Sequence, residues 1–285
     1  MTPEHVPPSP GHKVWLITGT SRGFGRQFAL AALERGDTVC ATARDTSTLD
    51  GLVERFGNLV VPFELDVRDG ARCREVVATA SKWCGRIDVL VNNAGYGLFG
   101  AVEEITERQL REQMETNFFG AFNLTQAAIP LMRERRAGHI VQISTMGGVI
   151  AFPTIGGYHA SKWALEGLTE SLASEVACLG IKVTIVEPGG FDTDWGAASS
   201  VSALELPHYA QVRERLSENW VAAHPDGVPS PLGFGAALCE IVDADEPPLR
   251  VFFGATPARL VPPVYEKRLA EWENWADLSV AAEGR

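Results

Sequence analysis

The stretch "VWLITGTSRGFGRQFALAALERG" (residues 14–36) decides the fold. An apolar run, "VWLIT" (14–18), leads directly into the loop "TGTSRGFG" (18–25), and a helical pattern follows over 23–35. Glycines at such a junction let the backbone turn tightly and approach an anion, which then sits at the helix N-terminus. Gly19, Gly23 and Gly25 have three residues and then one between them, unlike the plain G-x-G-x-x-G fingerprint. A lone glycine cluster can be an ordinary strand-to-helix turn. The strand before this one and the helix after it favour a phosphate loop.

The same alternation continues along the chain. Short apolar or β-branched runs occur at "TVCATA" (38–43), "LVVPFEL" (59–65), "IDVLVNN" (87–93), "HIVQIS" (139–144), "IKVTIVEP" (181–188) and "LRVFFG" (249–254). Helical patterns lie between them near 70–84, 107–134, 157–179 and 230–243. Runs that are apolar throughout, rather than alternating, suit strands covered on both faces. The expected fold is therefore α/β: a doubly wound, seven-stranded parallel sheet of the Rossmann type in a single domain over 13–285. Residues 1–12, "MTPEHVPPSPGH", read as a flexible arm. Residues 194–229 break the rhythm and read as an insertion near a strand end, with a helix-like middle at "LPHYAQVRERLSENWVAAH" (206–224). The segment 262–285 reads as a helical tail that starts at a proline and carries Trp272 and Trp275.

The bulk numbers narrow the class. The 285 residues are 45% hydrophobic and 21% charged, with net charge -11. An acidic chain whose one basic run is "RERR" (133–136), read as a solvated helix end, is a poor nucleic-acid binder. No apolar run is long enough for a membrane span. With no signal pattern at the N-terminus, the expectation is a cytoplasmic protein. The five cysteines, Cys40, Cys73, Cys84, Cys178 and Cys239, are scattered and read as buried reduced thiols. The six histidines lack ligand spacing, so no metal is expected.

The end of the second run bears on the ligand. A dinucleotide site that prefers NAD places a carboxylate there for the ribose 2′-hydroxyl. Here the position is Ala43, followed by Arg44, and Arg22 lies inside the glycine loop. Two guanidiniums around one point suit a 2′-phosphate, so NADP(H) is favoured over NAD(H). Asp45 falls too late and reads as part of a turn or helix start.

Tyr158 and Lys162 in "YHASK" (158–162) share a helix face. A free tyrosine, with a pKa of about 10, is too weak an acid for neutral-pH catalysis; a nearby ammonium stabilises the phenolate. Tyr158 is the one tyrosine of four with lysine at this spacing. Tyr209 has Arg213, read as a surface pair. Upstream, "ISTMGG" (143–148) holds two adjacent hydroxyls, Ser144 and Thr145. On a strand end neighbouring side chains point to opposite faces, so one of the two should face a substrate.

The glycine loop, "NNAG" (92–95), Asn117 in "METNFFG", "ISTMGG", "YHASK" and "PGGFDT" (188–193) occur in one order. This set resembles the single-domain branch of the short-chain dehydrogenase/reductase family, strongly over about 13–195. The resemblance implies a hydride-transferring oxidoreductase acting on a ketone or secondary alcohol. Tyr158 would be its proton donor or acceptor. Lys162 would lower the tyrosine pKa and bond the nicotinamide ribose. Asn117 would hold a water in a relay to Lys162. The loop residues Gly19, Thr20, Ser21, Arg22, Gly23, Phe24 and Gly25 would carry the cofactor's phosphates, with Arg44. Asp66 and Val67 would touch the adenine, and Asn93, Ala94 and Gly95 the adenosine side. Pro188, Gly189 and Thr193 would lie along the nicotinamide. In the family a serine stands thirteen residues before the tyrosine. Counting back from Tyr158 gives Thr145, with Ser144 as the alternative.

Tyr96, Leu98, Met146, Phe152, Phe191, Trp195 and Trp220 are candidates for the substrate lining, which suits a bulky apolar substrate. The segments "VCATARD" and "ASKWALEGLTESLA" are similar to members acting on 17β-hydroxysteroids and retinol. A homodimer or homotetramer is the family's usual form. Three alternatives stand beside this reading: an epimerase or dehydratase of the extended branch, which would normally carry a differently spaced glycine loop and a larger C-terminal domain than this sequence has; an NAD-dependent member; and a non-catalytic NADP-binding regulatory protein.

Overall fold

The structure is a computed structural model, described here over residues 11–193 and 200–284. Seven strands form one parallel sheet: β1 (Val14–Ile17), β2 (Thr38–Ala43), β3 (Val60–Glu64), β4 (Val89–Asn92), β6 (Gly138–Ile143), β7 (Ile181–Pro188) and β9 (Arg250–Phe253). Their order is β3-β2-β1-β4-β6-β7-β9. These are the seven apolar runs of the sequence. Chain direction across the sheet reverses at β1, where Trp15 is level with Val39 of β2 on one side and Val89 of β4 on the other. In open α/β sheets, ligands bind beyond the strand C-termini at such a switch point.

The side chains of β1 divide the core. Val14 and Leu16 join one buried cluster with Cys73, Val76, Leu124 and Met132. Trp15 and Ile17 join another, with Phe28, Leu33, Phe234 and Leu238. This is the period-2 alternation of a strand covered on both faces. The first cluster is closed by α3 (Gly70–Cys84) and α5 (Gly120–Arg135), the second by α1 (Gly23–Glu34) and α8 (Phe234–Asp243).

Several expectations need correcting. A short helix, α2 (Asp50–Phe56), stands outside the expected elements; it follows a 3-10 turn that Asp45 caps, as expected of it, accepting from Ser47 N at 3.0 Å. The pattern over 107–134 is not one helix: α4 (Glu107–Met114) gives way to a π-turn at Glu115–Phe119 before α5 begins. A second, two-stranded sheet pairs β5 (Gly97–Phe99) with β8 (Ser200–Ser202), which a sequence-local pattern of three residues cannot reveal. The insertion contributes β8 and α7 (Ala210–Ala223). The tail helix α9 (Ala255–Asn274) starts before the prolines, which lie inside it at 262 and 263, and α10 (Ala276–Ala281) follows. Its Val261 and Leu260 pack on Met146, Val149 and Ile150, and that burial outweighs the two lost backbone donors.

At the N-terminus, His12 packs on the body: its carbonyl accepts from Arg86 Nη2 at 2.6 Å. Residues 1–10 of the expected arm lie outside the described residues. Cys178 is exposed and Cys239 half-buried, so the uniform burial expected of the thiols holds for Cys40, Cys73 and Cys84. No described helix is long and apolar enough to cross a membrane.

Candidate active site

The loop after β1 is built for an anion. Gly19 and Gly23 have φ of +69° and +56°, a region that favours glycine. A Cβ on Gly25 would stand 2.3 Å from the Gly19 carbonyl oxygen, so a side chain there would push the loop apart. Helix α1 has no side-chain cap at Arg22, which leaves its first N–H groups for a ligand. Asn93, at the end of β4, braces the loop by donating to Thr18 O (2.8 Å) and Gly19 O (3.2 Å).

From this loop a groove of about 460 Å³ runs across the strand ends. Gly19, Ser21, Arg22, Gly23 and Phe24 line it, as do Arg44, Asp66, Val67, Asn93, Ala94 and Gly95. Ala43, Tyr158, Lys162 and Thr193 also border it. Of the other loop and cofactor candidates, Thr20 is buried and donates to Thr42 O, and Gly25 packs on Gly19, so both support the groove from beneath. Pro188 and Gly189 line a second cavity instead.

Arg68 was not singled out from the sequence. It borders the groove and makes a forked pair with Asp66, holding that carboxyl below the usual aspartate range; Arg44 adds a weaker pull. The signal was present in "LDVRD" (65–69), where the arginine stands two residues after the aspartate.

The second cavity, about 1130 Å³, lies beside the first. Met146, Phe152, Phe191 and Trp220 line it, with Thr145 and Tyr158. Tyr96 faces the cofactor groove rather than this cavity, because Asn117 and Gln113 fix its backbone beneath that groove. Leu98 is buried outside both linings. Trp195 lies outside the described residues. Trp220 of α7 rests on Gly190: a Cβ there would stand 2.0 Å from the indole. The expected surface pair of Tyr209 and Arg213 does not form. Arg213 instead bonds Glu104 in the cavity wall (2.9 Å), and Tyr209 donates to Glu103 (2.7 Å). Ion pairing to Glu104, itself fully buried as a side chain, outcompetes a phenol.

Tyr158 lies at the junction, bordering both cavities. It and Lys162 are on α6 (Gly156–Val176), one turn apart and both nearly buried. Thr145 and Ser144 part company as strand geometry requires. The Thr145 hydroxyl meets the Tyr158 hydroxyl, accepts from Gly147 N (3.2 Å) and donates to Pro188 O (3.4 Å). Ser144 is buried beside Glu166: a Cβ on Gly148 would be 2.5 Å from Ser144 Oγ and 2.7 Å from Glu166 Oε1.

The Tyr158 hydroxyl is not lowered here as the sequence suggested. Burial pushes it well above the ordinary tyrosine value, and the Thr145 hydroxyl opposes this only in part. The reason is the lysine's direction: Lys162 Nζ donates to Ile143 O at 2.7 Å. Burial brings Lys162 itself down to about 8, against the pull of Glu166. Asn117, in the π-turn, has both amide protons engaged, on Tyr96 O (3.0 Å) and Ser161 Oγ (3.1 Å), while its Oδ1 accepts from Tyr96 N. It braces the "NNAG" loop against α6, and a π-turn is a common device at functional sites.

With this geometry in hand, comparison with known proteins is direct. The family model described as short chain dehydrogenase matches residues 13–202. Oxidoreductase BOA17 of Botryotinia fuckeliana is 38% identical over 272 residues, covering 95% of this chain and 99% of that protein. A 3-ketodihydrosphingosine reductase of Bacteroides thetaiotaomicron is 40% identical over 244 residues, covering 85% and 88%. A solved short-chain dehydrogenase from Streptomyces avermitilis superposes with a TM-score of 0.88 at 42% identity, covering 96% and 99%.

Proposed function

The chain belongs to the short-chain dehydrogenase family, and we propose that it is an NADP(H)-dependent oxidoreductase interconverting a bulky, apolar ketone and its secondary alcohol. One observation carries this reading: Tyr158 borders both the cofactor groove and the large cavity, with the Thr145 hydroxyl at its own. A carbonyl oxygen reaching that junction from the large cavity meets a proton donor and a second hydroxyl.

The bound nicotinamide supplies or accepts the hydride. In the reductive direction Tyr158 gives its proton to the carbonyl oxygen as hydride reaches the carbon. A hydroxyl held above its ordinary pKa is protonated at neutral pH but is a weak acid, so the transfer depends on stabilisation of the phenolate it leaves. Thr145 orients the same oxygen. Lys162 places a buried positive charge close by, which stabilises the phenolate left behind. Asn117 keeps the loop and α6 in register, and with both amide protons on Tyr96 O and Ser161 Oγ its side chain has none to give the expected relay water. Gly19, Ser21, Gly23 and the α1 N-terminus would hold the phosphates, with Thr20 and Gly25 supporting the loop from beneath, and Asp66 and Val67 would border the adenine end.

Arg22 and Arg44 support NADP(H) over NAD(H), since no carboxylate stands at the end of β2. Arg44→Ala is expected to weaken NADPH binding about tenfold or more and to leave NADH within about twofold. A fluorescence titration with both nucleotides checks this; equal losses for the two would remove the 2′-phosphate argument.

The substrate class rests on the cavity's size and on Met146, Phe152, Phe191 and Trp220 in its wall. The relative named as a 3-ketodihydrosphingosine reductase supports long-chain ketones in particular. A panel graded from small to long-chain and polycyclic ketones, assayed by NADPH absorbance, should give kcat/KM rising with apolar size. A preference for small or charged carbonyls would defeat the assignment. Phe119, at the end of the π-turn, and Trp163 on α6, each exposed near 40%, support a homodimer or homotetramer. The lack of a spanning helix among the described residues accords with a cytoplasmic location.

A further inference from the structure

One turn beyond Lys162 along α6 lies a buried charge cluster, outside the linings of both cavities, with no part in the chemistry described so far. Tyr158, Lys162, Glu166 and Glu170 follow one another at four-residue spacing along one face of α6. Lys162 and Glu166 are each about 95% buried, and Glu170 reaches the surface. Arg250, at the start of β9, gathers three carboxylates: Glu166, Glu187 of β7 (2.9 Å) and Glu170 (2.9 Å).

We propose that Glu166 is a positioning residue for Lys162: held by Arg250 one turn beyond the lysine, its carboxylate keeps the buried ammonium charged for Tyr158. This rests on the role given to Lys162 above. Three observations carry it. Glu166, one turn along α6, is the one charged group found to favour the protonated lysine; the hydrogen bond that Nζ makes goes to the neutral Ile143 carbonyl. One carboxylate oxygen of Glu166 bonds Arg250, but Oε1 is buried without an aligned partner, on the side of the equally unpartnered Ser144 Oγ. Ser144 is close enough to help hold the Glu166 carboxyl down, against the burial that raises it. This also gives the second hydroxyl of "ISTMGG" a use: it faces Glu166 while Thr145 faces Tyr158.

The cluster is poised rather than inert. With Lys162 included, two cations face three carboxylates, so the group is electrically balanced when one carboxyl keeps its proton. Glu187, pushed up to about 7 by burial and by Glu166, is a carboxyl of the cluster that burial raises into the neutral range. As a brace between α6 and the sheet, such a cluster has no advantage over apolar packing, since desolvating the ions offsets their attraction.

The test is the pH profile. Lys162 sheds its proton near 8, so kcat/KM for reduction declines through that range, and NADPH binding weakens with it. Glu166→Gln keeps the shape and removes the charge. It is expected to lower kcat/KM about fivefold at pH 8 and less than about twofold at pH 6, as the alkaline limb moves to lower pH. NADPH affinity, read from tryptophan fluorescence, should begin to weaken at lower pH in the same variant, and Glu166→Asp should restore most of the profile. A loss equal at every pH, with the alkaline limb not displaced, would make Glu166 a brace and overturn the proposal. If Glu166→Gln does not fold, Glu166→Asp alone decides: its shorter carboxylate stands farther from Lys162, so the alkaline limb should move part of the way to lower pH, and a limb that does not move would overturn the proposal. Should the wild type bind NADPH yet reduce no carbonyl, the dehydrogenase reading fails, and the binding profile still decides the role of Glu166.

Discussion

Tyr158→Phe is expected to lower kcat for ketone reduction about a thousandfold, within the range that a positioned general acid contributes. The substitution removes one oxygen and little packing, because the ring is buried beside His159, and the hydroxyl's described partner is Thr145. NADPH affinity should therefore stay within about twofold, and the thermal midpoint should move little. A burial-raised hydroxyl is protonated throughout the working range. The residual rate of the variant should thus be nearly flat with pH below the Lys162 transition near 8. Stopped-flow kinetics with saturating NADPH measures kcat, and a fall of less than about tenfold would mean that another group delivers the proton.

The second large effect separates two neighbouring hydroxyls. Thr145→Val should reduce kcat about a hundredfold, the usual cost of losing a polar group aimed at the reacting oxygen. Ser144→Ala should cost less than about threefold at neutral pH. Thr145 also accepts from Gly147 N, so the valine variant leaves a donor unpaired and should lose about 1 kcal/mol of stability. Thr145→Ser keeps the hydroxyl and should recover most of the rate, which separates the chemical effect from the turn's stability. Full activity in Thr145→Val together with an inactive Ser144→Ala would transfer the role to Ser144.

What the sequence revealed and what it hid have physical reasons. The central strands are legible because burial on both faces makes them largely apolar, while the edge strands β3 and β9 are only partly buried. The glycine loop and the Tyr158–Lys162 pair are legible because their geometry is set within a few residues. Long-range pairings are not. Arg213 meets Glu104 across more than a hundred residues of chain, and Arg250 meets Glu166 across 84. Nothing local to either arginine names its partner. The raised Tyr158 hydroxyl was hidden for a related reason: i,i+4 spacing places Lys162 nearby, but the carbonyl of Ile143, at the end of β6, decides where the ammonium points. Glu166 could have been found, since it continues the spacing from Tyr158 and Lys162 by one further turn.

Hydride transfer itself can be followed with labelled cofactor. NADPH carrying deuterium at the transferable position of the nicotinamide is mixed with the protein and the best ketone of the panel, and the product alcohol is analysed by mass spectrometry. The account predicts deuterium on the former carbonyl carbon from one of the two stereochemically labelled cofactors, and its near disappearance in Tyr158→Phe over the same time. Tight NADPH binding with no label in any product alcohol would contradict it.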